Sequence, residues 1–198
     1  MSFARSDPRD TSARSTSAPE LQVSQWFNTD TSPTLASLRG RVVVVHAFQM
    51  LCPGCVSHGL PQAMKIHQAF LNQDVQVLGL HTVFEHHAAM APHALQAFLH
   101  EYRIAFPVAV DLASSTGPVP GTMQAYGLRG TPSLVVIDRQ GVVRLNHFGV
   151  IDDLPLGALL GTLVAEQGGA QVAPSETPGV DASGAAKGAM CDAQQCAI

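Results

Sequence analysis

Between residues 21 and 166 the chain alternates two kinds of apolar spacing. Val42–Phe48 reads Val-Val-Val-Val-His-Ala-Phe, β-branched and apolar on both faces except at His46. Such a run predicts a central strand of a parallel sheet, covered by helices on each side. Beyond it, Leu60, Ala63, Met64, His67 and Leu71 fall three or four residues apart, which predicts a helix over 56–71 with a kink at Pro61. A second two-faced strand is expected over 75–80. A helix over 91–102 would carry Leu95, Phe98, Leu99 and Tyr102 on one side. A short strand over 107–110 ends at Asp111, and a short helix over 122–126 is stopped by Gly127. Residues 134–138 and 142–148, joined by Arg139-Gln140-Gly141, read as a hairpin. A last helix over 152–166 would bury Leu156, Leu159, Leu160 and Val164. Residues 22–27 fit either a first strand or a lead-in segment. Strands separated by helices imply βαβ crossovers, and the terminal hairpin adds antiparallel strands. The expected fold class is α/β: a mixed central sheet flanked by helices on both faces, with an N-terminal extension.

The flanks differ in kind. Residues 1–20 are polar, without hydrophobic period, and are expected to be a disordered leader. Residues 21–166 form the domain. Residues 167–198 are rich in Gly, Ala, Ser and Pro and are expected to be a flexible tail. The chain is 46% hydrophobic, which excludes wholesale disorder. A net charge of -4, with no Lys/Arg run, excludes an electrostatic grip on nucleic acid. No apolar run approaches the ~20 residues that span a bilayer. The N-terminus lacks the roughly 7–15-residue apolar stretch of a secretory signal. The expected setting is therefore cytoplasmic, away from membranes. There a structural disulfide is disfavoured and a working thiol pair is favoured.

Cys52-Pro53-Gly54-Cys55 lies between a buried strand and a helix. Zinc would need a second ligand pair at matching spacing, and the other cysteines, Cys191 and Cys196, are five apart in the Gly-rich tail. Redox chemistry needs only the strand-to-helix context. Cys52 is expected just before the helix, where unpaired N–H groups and the positive dipole end favour thiolate over thiol. Cys55, one turn along, is placed to break a mixed disulfide. Pro53 suits a first helical turn because it has no N–H to leave unsatisfied. Thr131-Pro132 precedes the 134–138 strand; from spacing alone its bond fits either isomer. A cis bond there would present Thr131 backbone to an extended client, which could pair like an added strand. Nine histidines invite a metal reading, with Glu85, His86, His87 and His93 the densest group. Adjacent residues point in different directions, so no metal site is expected. Cys191 and Cys196 form a possible auxiliary redox pair, since a tail of roughly 25 residues reaches tens of ångströms.

In order and spacing, these residues resemble the thioredoxin-like proteins, and more closely the TlpA/DipZ-like redoxins, from about Leu21 to Leu163. The resemblance is carried by Trp26-Phe27-Asn28, Gly40-Arg41-Val42-Val43-Val44, Cys52-Pro53-Gly54-Cys55 and Gly79 to Glu85. It continues through Phe106 to Asp111, Gly130-Thr131-Pro132, Val136 to Gly141 and His147-Phe148-Gly149. It implies a thioredoxin fold and thiol–disulfide exchange. Cys52 would be the exposed nucleophile, Cys55 the buried resolving thiol and Pro132 the cis proline. Glu85 would be a possible proton relay, against the plainer reading of a solvated loop carboxylate. The implied partners are a protein or small-molecule disulfide and a thiol reductant. No cofactor is implied beyond the Cys52–Cys55 disulfide itself.

The segment before the pair, Phe48-Gln49-Met50-Leu51, departs from the tryptophan-containing approach of those relatives. Peroxiredoxins share the fold, but their peroxidatic cysteine follows a Thr by three residues, and here that place is Gln49. A thiol peroxidase or redox sensor is therefore the alternative enzyme. A non-catalytic protein-binding module is the alternative of another class.

Overall fold

A computed structural model describes residues 17–71, 73–115 and 117–166. Residues 1–16 and 167–198, with Cys191 and Cys196, lie outside the described residues. Strands β1 (Val23–Phe27), β2 (Val42–Phe48), β3 (Val75–His81), β4 (Val108–Asp111), β5 (Ser133–Ile137) and β6 (Val143–Phe148) form one sheet in the order β1-β4-β3-β2-β5-β6. β2, β3 and β4 run parallel, while β5, β6 and β1 are antiparallel to their neighbours. The sheet is mixed as the sequence predicts, and residues 22–27 resolve into an edge strand.

Every residue of β2 is buried, and its side chains alternate between two cores. Val42, Val44 and Phe48 meet helices α1 (Leu60–Ala69), α2 (Pro92–Glu101) and α4 (Asp153–Ala165) through Leu60, Leu95, Leu99 and Leu160. Val43, Val45 and Ala47 meet Leu35, Leu38 and Met123 of the short α3 (Gly121–Ala125) on the other face. Each such valine contributes roughly 1.5–3 kcal/mol of apolar burial, so β2 is firmly held from both faces. The catalytic-type Cys-x-x-Cys follows directly from its end.

Three local expectations are corrected. Leu71 is 62% exposed, because α1 stops at Ala69 and Phe70 turns the chain toward β3; Ile66 takes the buried place instead, beside Leu60 and Ala63. The kink expected at Pro61 appears as a change of helix type. Cys55–Gly59 forms a π-helical turn, with the Leu60 N–H donating to Cys55 O, and Pro61 follows it in the first turn of α1. Residues 18 and 20 are hydrogen-bonded to the domain: Ala18 N–H donates to Gly141 O at 2.8 Å, and the Glu20 carboxylate accepts from Leu35 N–H at 2.6 Å. Tyr102 and Phe148 lie 46% exposed, at the end of α2 and on the edge strand.

Candidate active site

The site is assembled where the C-terminal ends of β2 and β3 meet the start of β5. β2 delivers Gln49, Met50 and Leu51 and then Cys52, which caps a helical turn beginning at Pro53. The N–H groups of Cys55 and Val56 both donate to Cys52 O at 3.1 Å. The Cys55 N–H also lies 3.3 Å from Cys52 Sγ, as the strand-to-helix spacing predicts. Both thiols are free; Cys52 is partly exposed and Cys55 is fully buried. Burial pushes the Cys55 thiol up to about 12. Its hydrogen bond with Cys52 adds to the rise, and hydrogen bonds with the Gln49 backbone and the Thr131 side chain oppose it.

The Thr131–Pro132 bond is cis. Cys52 Sγ donates to Thr131 O at 3.4 Å, so this segment lies directly against the sulfur. Gln49 Nε2 lies 3.5 Å from Thr131 Oγ1, and Gln49 itself is only 1% exposed. The position where peroxiredoxins carry Thr is therefore occupied here by a buried amide packed on Thr131. Glu85 lies in the loop after β3, at the same end of the sheet, and is exposed. It forms no hydrogen bond or ion pair among the described residues. Among those residues, no group of three or more His, Cys, Asp and Glu side chains could hold a metal ion.

Sequence reading missed what lies beneath the pair. His46 is 2% exposed, its ring stacked parallel to Phe48 with centroids 6.1 Å apart, and its Nε2 has no hydrogen-bond partner. Burial lowers its pKa to about 4, so the ring is neutral at pH 7. A Cβ on Gly59 would lie 2.4 Å from His46 Cε1 and 2.6 Å from Nε2. Glycine at 59 thus lets the π-helical turn close onto the imidazole. The available signal was a single polar residue inside a strand otherwise apolar on both faces.

Gly59→Ala is expected to destabilise the fold by about 1–3 kcal/mol through overpacking. His46→Ala in the same chain should recover part of that loss. Urea unfolding of the two single variants and the double variant checks it, and strictly additive losses would deny the contact.

The residues and geometry define a thioredoxin-like redox enzyme. The sequence matches the AhpC/TSA family over residues 15–146, and the chain belongs to that family. It is 60% identical to a thioredoxin-like superfamily protein of known crystal structure, covering 76% of this chain and 97% of that one, with a TM-score of 0.74. It is 50% identical to a thiol-disulfide isomerase from Corynebacterium glutamicum, covering 78% and 99%, with a TM-score of 0.73. The thioredoxin domain of a thiol-disulfide oxidoreductase from Bacteroides vulgatus shares the fold at 14% identity and TM-score 0.58, over 75% of this chain and 96% of that domain. No curated protein matches. At family level the activity is of the redoxin, thiol–disulfide oxidoreductase type. No helix among the described residues is long and apolar enough to cross a membrane.

Proposed function

We propose that the protein reduces disulfides of proteins or small molecules through Cys52 and Cys55. The observation that carries this reading is the contact set of Cys52: a partly exposed sulfur between the Cys55 N–H and Thr131 O, with a buried thiol three residues on. Cys52, as thiolate, attacks one sulfur of the client; that client S–S bond breaks, a mixed disulfide forms, and the first client sulfur leaves as a thiolate that takes a proton from water. Cys55 then gives up its proton and attacks Cys52 Sγ; the mixed S–S bond breaks, the second client sulfur leaves as a thiolate, and the pair ends as a disulfide. Two electrons pass to the client, and a separate thiol reductant returns them to the pair. Thr131 would hold the client backbone beside Pro132. The pair itself carries the electrons, so the reaction calls for no other cofactor. Glu85 stands free at the same end of the sheet and would serve as a proton carrier to solvent. The cytoplasmic setting expected from the sequence favours the reducing direction.

The test is equilibration in glutathione buffers of graded poise, followed by acid trapping and peptide mapping. The expected result is a two-electron transition in which a Cys52–Cys55 disulfide appears, together with catalytic reduction of a protein disulfide. A folded protein whose two thiols stay unpaired at every poise would overturn the reading. Consumption of peroxide at rates far above those with disulfides would transfer it to the peroxidase alternative.

A further inference from the structure

Among the described residues seven large apolar side chains are exposed, and three of them adjoin Cys52 or the Thr131–Pro132 segment. Leu51 is 58% exposed and immediately precedes Cys52; Phe148 is 46% and Val150 55% exposed. The last two flank Gly149, whose N–H donates to Pro132 O at 2.8 Å. Gly130, the neighbour of Thr131, is packed so closely on the Phe148 ring that a Cβ would lie 2.8 Å from Phe148 Cε2. Phe148 and Val150 thereby flank the Thr131–Pro132 segment, to whose Thr131 O the Cys52 Sγ donates, and Leu51 adjoins Cys52 in sequence.

Arg129, two residues before Thr131, is held against the same aromatic ring. The Arg129 guanidinium lies over the Phe148 ring, 5.4 Å from its centroid. Arg129 is exposed, and no carboxylate among the described residues pairs with it. Stacking on an aromatic ring limits the rotamer freedom that makes most surface arginines costly to engage. Its N–H donors are left for a group that arrives from outside. Lys65 on α1 is already paired with Asp153 at 3.2 Å.

We propose that Arg129, held on Phe148, selects protein clients whose extended segment carries Asp or Glu within about three residues of the reacting cysteine. Leu51, Phe148 and Val150 receive the apolar residues of that segment. The occupant is an acidic, partly apolar peptide stretch of a disulfide-bearing protein. This rests on the thiol–disulfide reading above and adds the class of client. An exposed charge pair of this kind acts mainly on encounter and orientation, so its effect belongs in kcat/KM and fades with salt.

The experiment compares two cystine-bridged peptides that differ only in Glu or Lys beside the reacting cysteine, with hydroxyethyl disulfide and glutathione disulfide as further substrates. Wild-type protein, Arg129→Gln and Arg129→Glu are assayed with each. The wild type should reduce the Glu peptide with a kcat/KM about three- to tenfold above the Lys peptide, less at high salt. Arg129→Gln should abolish that preference and Arg129→Glu should invert it, while turnover of the uncharged hydroxyethyl disulfide stays unchanged in both. Equal rates for the two peptides in the wild type would overturn the proposal. So would a preference that survives Arg129→Glu, or an Arg129 effect confined to glutathione disulfide, which would mark a small-molecule carboxylate subsite instead. Failure to reduce hydroxyethyl disulfide at all would strike the thiol–disulfide reading itself, and the client proposal with it.

Discussion

A Cys55→Ser variant is expected to stall on its client as a covalent adduct through Cys52, with turnover at least about a hundredfold below wild type. Cys52 still has its sulfur, its exposure and the Cys55-position N–H that faces it, so attack and the first mixed disulfide survive. The second step does not, because a serine hydroxyl cannot displace a thiolate from sulfur. Cys52→Ser should lose turnover to the same degree but form no adduct, since Cys55 is fully buried and cannot reach a client. Non-reducing mass analysis after mixing with a protein disulfide separates the two. Adduct through Cys55, or wild-type turnover in either variant, would contradict the assignment. In the wild type the pH should act on resolution more than on attack. Burial, the main cause of the raised Cys55 pKa, persists when Cys52 is in the mixed disulfide, so Cys55 stays protonated at neutral pH and its thiolate fraction rises with pH. Decay of the mixed disulfide should therefore accelerate steeply from pH 7 to 9. The rise should be steeper still in Glu85→Gln, which lacks the carboxylate proposed to carry the proton; equal pH dependence in the two proteins would remove Glu85 from that role. A binding module without catalysis would hold its client in all three forms with no covalent link.

The sequence carried the sheet and the placement of the thiol pair after β2 because both depend on short-range pattern. A four-valine run, a Cys-x-x-Cys at its end and a βαβ alternation are local, and β2 spans the residues expected of it. Contacts between distant elements were not legible. The close approach of Gly59 to His46 joins a helix turn to a strand, and the Gln49–Thr131 contact spans 82 residues. The face of α1 was misread by one position because periodicity alone does not say where the helix stops. Leu71 belongs to the stripe by spacing but lies beyond Ala69, in the turn that leads into β3. Glu85 was carried only by resemblance, and nothing in its own neighbourhood distinguishes it from a solvated loop carboxylate.

The histidines beneath and beside the site make acid stability the second large effect. His46 and His81 are 2% and 1% exposed, and neither Nε2 has a hydrogen-bond partner. Both rings border Phe48, His46 stacked on it and His81 tilted with centroids 5.4 Å apart. Burial lowers each pKa from 6.5 to about 4. Below pH 6.5 the unfolded chain takes up protons that the folded one refuses, so stability is complete above that pH and is lost as pH falls toward 4. Each histidine contributes a slope of about 1.4 kcal/mol per pH unit, hence roughly 3 kcal/mol over the window and about twice that for the pair. That is a large part of the 5–15 kcal/mol of a typical domain. Asp111 works against it: burial raises its pKa despite the Thr122 and Met123 N–H groups that its carboxylate accepts, so protonation favours the folded form as pH falls. Urea unfolding at pH 7.5, 6, 5 and 4.5 should show the midpoint falling throughout. His46→Leu and His81→Leu should each remove about half of the slope, whatever they do to the stability at pH 7.5. A midpoint that is flat from pH 7 to 5 would mean that water or a displaced side chain satisfies these rings, and the dry packing beneath the thiol pair would have to be abandoned.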